Sequence, residues 1–349
     1  MADKYKLFGT YRAILALFVV FEHFLPAFAP KDWEFINSVI WGRIGVLLFF
    51  VVSGFVIADA CDSFYKNRPL AFLKNRFWRI YPPYILALFL SIIIQYLLSY
   101  LQAKAILPAQ PEPPYYARIP EKLVLLKNLV APFDTDIPNG LEHYTIYVRY
   151  IWAVVVEIQF YLFMAAVVLL RIPLLMAVIA ALSIYFYSMY YNLPSQLVVV
   201  NSIPYFLLGI LMYVLTLRKN KTNIWLVLLT AFVAYLTINN FCMGSNKKFD
   251  VVLTTVIFSA MLVVLYILSH INSNNLLIKK IDSLLGNISY PLYLNHYIVE
   301  IAIVGLLPRS STTFICGIVI VLAFSYAAYI SVEPFTKRIR NKVRGYALN

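Results

Sequence analysis

The chain has 349 residues, of which 62% are hydrophobic and only 13% charged, with a net charge of +13 and a mean hydropathy of +0.77. A soluble domain is about half apolar and about a quarter charged, so this composition excludes a soluble globular enzyme, a disordered chain and a disulfide scaffold. Apolar runs of about 20 residues recur, which predicts an all-α, polytopic transmembrane helical bundle and not a β-barrel of short alternating strands.

Ten spans are expected, with cores near 10–29, 44–61, 83–103, 147–170, 172–191, 197–217, 224–241, 251–270, 290–307 and 313–333. The fourth and fifth meet at Arg171-Ile172-Pro173, a tight helix–turn–helix. The first run is too long for a signal-peptide core and ends without a small-residue cleavage site. Cys61, Cys242 and Cys316 have no framework spacing. With the N-terminus in the cytoplasm, 19 of the 29 Lys and Arg residues fall on the inner side, so both termini are expected to be cytoplasmic. Topology then accounts for the basic excess, and the partner it implies is a lipid bilayer and not nucleic acid. A single membrane domain is expected over 1–349 (core 8–336), with no appended soluble domain. Residues 104–146 form a long, proline-rich loop on the outer side, in which Glu121 to Val130 reads as a short amphipathic helix. Long loops are often lids or binding elements, but a solvated linker is an equal reading.

Ionisable residues inside spans are costly and mark candidate sites. Arg12 opens the first span, and Glu22 and His23 lie late in it. Arg12 and His23 are 11 residues apart, which returns to nearly the same helix face with a rise of roughly 16 Å. That stripe suits a ligand reaching from the cytoplasm into the bilayer; a snorkelling arginine above a hydrogen-bonded histidine is the alternative. The fourth span carries Glu157 and Gln159 near mid-depth. The ninth opens at Gly286 to His296, where Pro291 suits a first turn and Ser289 or Asn287 a cap. His296 and Glu300 share a face four residues apart. No histidine or cysteine set supports a metal site, with His143 isolated beside Glu142 in the outer loop. Before the third span, Arg76 and Arg79 sit three apart near Lys74. Their guanidinium groups suit a phosphorylated cytoplasmic ligand or a lipid anchor.

Together these segments resemble the membrane-bound acyltransferase-3 family, bacterial O-acetylases of surface glycans and their relatives, from Tyr11 to Phe335. The carried features are Arg12 and His23; Gly45 to Phe55, with Ser53-Gly54-Phe55; Arg76 to Pro82; Trp152 to Tyr161; Ile203 to Gly209; Gly286 to His296, which includes Tyr290; and Glu333-Pro334-Phe335. The chain departs from the pattern at Ala153, where the family has serine, and at Asn201-Ser202, where an arginine is usual. The closing motif is one residue shorter. The resemblance implies an acyl-CoA-dependent O-acyltransferase of the bacterial inner membrane. It would move an acyl group, by default acetyl, from cytoplasmic acyl-CoA to a hydroxyl of a surface glycan or lipid-linked saccharide, with no permanently bound cofactor. His23 is implied as general base, because a neutral imidazole suits removal of a sugar hydroxyl proton. Arg12, Arg76 and Arg79 would hold the CoA, Glu157 would orient His23 or the acceptor, and Ser53 is either an acyl carrier or a packing site. Tyr290, His296 and Glu333 join the substrate site as motif residues. Tyr115, Tyr116, Tyr144 and Tyr147 would stack on the acceptor. A transporter of a small amphipath, O-succinyl transfer and a non-catalytic scaffold are the competing readings.

Overall fold

The computed structural model describes residues 7–104, 122–134, 146–191, 198–218, 228, 230–236, 238, 251–271, 275–304 and 306–345. Among them there is no strand. The helices are α1 (Phe8–Phe28), α2 (Glu34–Asn37), α3 (Trp41–Ser63), α4 (Pro69–Ala103), α5 (Lys122–Val130), α6 (Trp152–Leu169), α7 (Leu174–Tyr190), α8 (Val198–Arg218), α9 (Val251–His270), α10 (Leu276–Ile303) and α11 (Ser311–Arg344). Seven of these, α1, α3, α4, α6, α8, α9 and α11, are long and apolar enough to cross a membrane. The all-α polytopic architecture expected from composition is therefore present. The short helix expected from Glu121 is α5. Of the span expected at 224–241, residues 228, 230–236 and 238 are described, and all of them are helical.

Two expected boundaries are corrected. The third span begins at Pro69, so Arg76 and Arg79 stand on the spanning helix itself and not in a connection before it. Pro82 and Pro83 remove only the N–H groups that would bond the carbonyls four residues back, and a membrane bundle tolerates such gaps inside a helix. The ninth span begins at Leu276, not near Tyr290. Its cap is Asn275, whose Oδ1 accepts from the N–H groups of Leu277 (2.9 Å) and Ile278 (3.3 Å). Ser289 and Asn287 therefore cap nothing; the Ser289 hydroxyl donates to the Gly286 carbonyl (2.8 Å), and Pro291 is interior. The stretch before Tyr290 is interrupted by Lys279, Asp282, Ser283, Asn287 and Ser289, which line a cavity, and α10 is not among the helices apolar enough to cross a membrane.

Glycines set the helix crossings. α1 and α10 run parallel and touch at Gly9 and Gly286, where a Cβ on Gly286 would lie 2.7 Å from the Gly9 Cα. Asp282 completes this crossing from α10. It accepts from the N–H groups of Gly9 (3.1 Å) and Thr10 (2.7 Å) and from the Thr10 hydroxyl (2.9 Å). α1 has no side-chain cap of its own, so a carboxylate from another helix answers its unpaired donors and its positive dipole end. α3 runs antiparallel to α1 and is treated similarly: Glu22 Oε2 accepts from the Gly42 N–H (3.2 Å) in its first turn. α3 crosses α8 at Gly54 and Gly209, where added Cβ atoms would fall 2.1 Å from the Phe206 carbonyl oxygen and 1.9 Å from that of Val51. Small residues allow such close backbone approach in membrane bundles. Ser53-Gly54 is thus a packing site on its glycine side.

Gly54→Ala and Gly209→Ala are expected to lower the unfolding temperature in detergent more than Gly317→Ala, whose added Cβ meets only ring atoms of Phe24 and Phe28, the nearest at 3.2 Å. Asp282→Ala is expected to cost about 1–2 kcal/mol as a lost N-terminal cap. An Asp282→Ala protein as stable as wild type would refute that role.

Candidate functional site

A cavity of about 520 Å³ lies among α1, α3, α4, α6 and α10. Its lining on α10 runs from Lys279 to Tyr293, roughly 21 Å along the helix at 1.5 Å per residue. The cavity is therefore elongated along the bundle. Five cations line it, Arg12, Arg76, Arg79, Lys279 and Arg344. All belong to the end where α1, α4 and α10 begin and α11 finishes. Val46, Val154 and Tyr293 line the opposite, largely apolar end.

Two carboxylates face the five cations, Glu157 and Asp282, and both are already engaged. Asp282 holds the start of α1. Glu157 Oε1 accepts from the hydroxyls of Ser53 (2.6 Å) and Tyr161 (2.6 Å). The Arg76 guanidinium lies over the rings of Phe72 and Tyr161, 5.4 Å from each centroid, and its Nε is buried without a hydrogen-bond partner. The positive charges of Arg12, Arg76 and Arg340 all act on Arg79. This concentration of buried like charge is costly unless an anion joins it.

Beyond the apolar end stand three stacked rings. His23 lies 4.0 Å from Tyr150 and 5.1 Å from His296, centroid to centroid, and Tyr150 lies 5.0 Å from His296. Tyr293 links this stack to the cavity: it lines the cavity, its hydroxyl donates to the Tyr150 carbonyl, and its own carbonyl is 2.7 Å from His296 Nδ1. A carbonyl only accepts, so Nδ1 of His296 carries a proton. His296 is fully buried, and its Nε2 has no hydrogen-bond partner. One turn further on, Glu300 Oε2 is also buried and unpartnered.

The expected site residues thus divide. Arg12, Ser53, Arg76, Arg79, Glu157 and Tyr290 come together around the cavity, while His23 and His296 form the stack beyond it. The stripe on α1 is as expected, with Arg12 at the cavity and His23 above it. Glu157 does not orient His23, since its hydrogen bonds go to Ser53 and Tyr161 near the basic end. Ser53 is correspondingly far from His23 along the bundle, being at the level where Phe55 meets Phe8, at the start of α1. That placement argues against Ser53 as a carrier passing an acyl group towards the stack. Glu333 pairs with Arg340 on its own helix and lines a separate cavity of about 30 Å³, whose wall includes Arg79 and Tyr290. Tyr147 is 2% exposed and its N–H donates to Asn128 Oδ1 (2.9 Å), so it is core and not an acceptor platform. Tyr115, Tyr116, Glu142, His143 and Tyr144 lie outside the described residues. Tyr150, Asp282 and Arg344 were not singled out from sequence. Asp282 carried a signal, an acid set among basic residues upstream of Gly286, whereas Tyr150 and Arg344 carried none. Among the described residues no three His, Cys, Asp or Glu side chains converge as a metal cluster.

Ser53→Ala and Tyr161→Phe each take one hydroxyl from the Glu157 carboxylate. Each is expected to cost about 1.5–3 kcal/mol, the usual worth of a hydrogen bond to a charged group, seen as a lower unfolding temperature of the purified protein. Equal stability of both variants and wild type would mean that Glu157 is held otherwise.

The family model described as an acyltransferase domain matches residues 10–330. A curated protein of Rhizobium radiobacter, "Protein 2 in picA locus", is 36% identical over 89 residues, a stretch that covers 25% of this chain and 43% of that protein. The match therefore spans less than half of that relative's length. No solved structure matches the chain. With nearly the whole helical bundle matched, the chain belongs to the acyltransferase-3 family of membrane acyltransferases.

Proposed function

We propose that this protein transfers an acyl group, with acetyl the first candidate, from acyl-CoA to a hydroxyl of a surface glycan or lipid-linked saccharide. The observation that carries this reading is one elongated cavity with a polycationic end and an apolar end that stops beneath a histidine. Coenzyme A has the matching layout, phosphates at one end and a neutral arm that ends in the thioester at the other. Arg12, Arg76 and Arg79 hold the phosphates, and guanidinium forks are well shaped for them. The arm runs past Ser53 and Tyr290 towards Tyr293. The positive-inside bias puts the basic end in the cytoplasm, and the bilayer is the cytoplasmic membrane of a bacterium.

His23 acts on the acceptor. Its neutral imidazole takes the hydroxyl proton as the hydroxyl oxygen attacks the thioester carbonyl. The carbon–sulfur bond breaks, the CoA thiolate leaves, and the imidazolium returns the proton to it. His296 and Tyr150 hold the imidazole plane by stacking. Tyr150 also offers the outer side a ring for a sugar face, and Glu300, with an unpartnered oxygen, is placed to accept from a neighbouring sugar hydroxyl. The thioester supplies the activated carbonyl, so this scheme needs no further cofactor.

His23→Ala is expected to reduce acyl transfer by a factor on the order of 10² to 10⁴, the usual worth of a general base. Binding of acetyl-CoA to the purified protein in nanodiscs stays within about twofold, because His23 is not part of the cavity wall. Arg76→Ala combined with Arg79→Ala does the reverse and weakens donor binding. Glycan acylation that survives His23→Ala in well-folded protein would sink the general-base assignment.

A further inference from the structure

The family match ends at residue 330, yet the cavity's basic end is completed by Arg344, the last residue of α11. This end of α11 is strapped to the first turns of α4. The Arg68 guanidinium donates to the Val343 carbonyl (3.2 Å), and the Asn75 amide donates to the Arg340 carbonyl (3.3 Å). Held there, Arg344 lines the cavity with its Nε buried and without a hydrogen-bond partner. On the α3 side, the Tyr65 hydroxyl also lines the cavity, belongs to a residue 1% exposed, and has no partner. Lys279, in the first turn of α10, is the third group at this mouth.

These groups are distinct from the deeper arginines. Arg12, Arg76 and Arg79 form one cationic centre further along α1 and α4, whereas Arg344, Lys279 and Tyr65 sit where the helices start and finish. Buried donors without partners are expensive, and the two at this opening, the Arg344 Nε and the Tyr65 hydroxyl, together with the positive charge of Lys279, are matched by a compact, highly charged acceptor. A phosphomonoester fits: it carries close to two charges near neutral pH and offers three terminal oxygens, enough for a guanidinium, an ammonium and a phenol.

We propose that Arg344, Lys279 and Tyr65 form a phosphomonoester subsite that reads the 3′-phosphate of the donor nucleotide, separate from the arginines that hold its diphosphate. This rests on the acyl-CoA reading above. A phosphate of an anionic lipid presents similar chemistry, but Arg344 opens onto the same continuous cavity as Arg12, Arg76 and Arg79, which favours one ligand that spans both cationic groups.

The test is equilibrium binding of CoA and 3′-dephospho-CoA to the full chain in zwitterionic nanodiscs, repeated in nanodiscs that contain anionic lipid. Wild type is expected to favour CoA by at least about tenfold. Arg344→Ala is expected to remove most of that preference and leave dephospho-CoA affinity within about twofold, with Arg344→Lys restoring part of it. Tyr65→Phe, which keeps the ring packing, is expected to reduce the preference by a smaller factor. Equal wild-type affinity for the two nucleotides overturns the subsite, as does an Arg344→Ala loss that falls equally on both. An Arg344 effect seen only with anionic lipid assigns the group to a headgroup and also overturns it. Wild-type protein that binds neither nucleotide refutes the donor reading itself.

Discussion

The parallel contact between α1 and α10 governs the rest of the molecule. Asp282 holds the first N–H groups of α1, and Gly9 and Gly286 let the two backbones approach until nothing larger fits. Gly9 and Asp282 are 273 residues apart in the chain, and His23 and His296 have the same offset. One register therefore runs from the basic end to the ring stack. It places Arg12 on the wall of the cavity that Tyr290 also lines and seats the His23 ring against His296. A slip of one residue would turn both Arg12 and His23 by about 100° away from their partners.

Charge is distributed by the same economy of partners. Four carboxylates around the cavity each answer a specific demand: Asp282 the start of α1, Glu22 the start of α3, Glu157 two hydroxyls, Glu333 the Arg340 guanidinium. Glu157 and Asp282 act on Arg12, but two carboxylates face five cations on the cavity wall, so positive charge remains in excess. Burying unpaired cations is unfavourable, and the bundle tolerates them because they line a cavity and not a packed core. The empty volume and the excess positive charge are two aspects of one site, and a polyanion relieves both.

Much of this was legible from residues alone. The 11-residue spacing of Arg12 and His23 gave their common face, because helical periodicity is local. Arg76 and Arg79 were recognisable as a pair, but their placement before the third span was wrong: Pro82-Pro83 reads as a break, while the helix carries through it. The start of α10 was misplaced for a related reason. Residues 276–289 are too polar to look like a span, since their polar groups face a cavity and not lipid. Pairings across the chain were not legible. No periodicity links His23 to His296 or Gly9 to Asp282, and Tyr150 stands outside any helix, in the turn before Trp152. Arg344 looked like one more positive-inside residue until the end of α11 folded over the cavity.

The central claim is that donor and base occupy opposite ends of one cavity, with the reacting carbonyl delivered to the foot of the ring stack. A structure determined with CoA bound tests it most directly. The expected result is nucleotide phosphates among Arg12, Arg76 and Arg79, with the arm extended past Ser53 and Tyr290 and the sulfur near Tyr293, below His23. CoA bound outside this cavity, or inside it with its sulfur at the basic end, would contradict the claim.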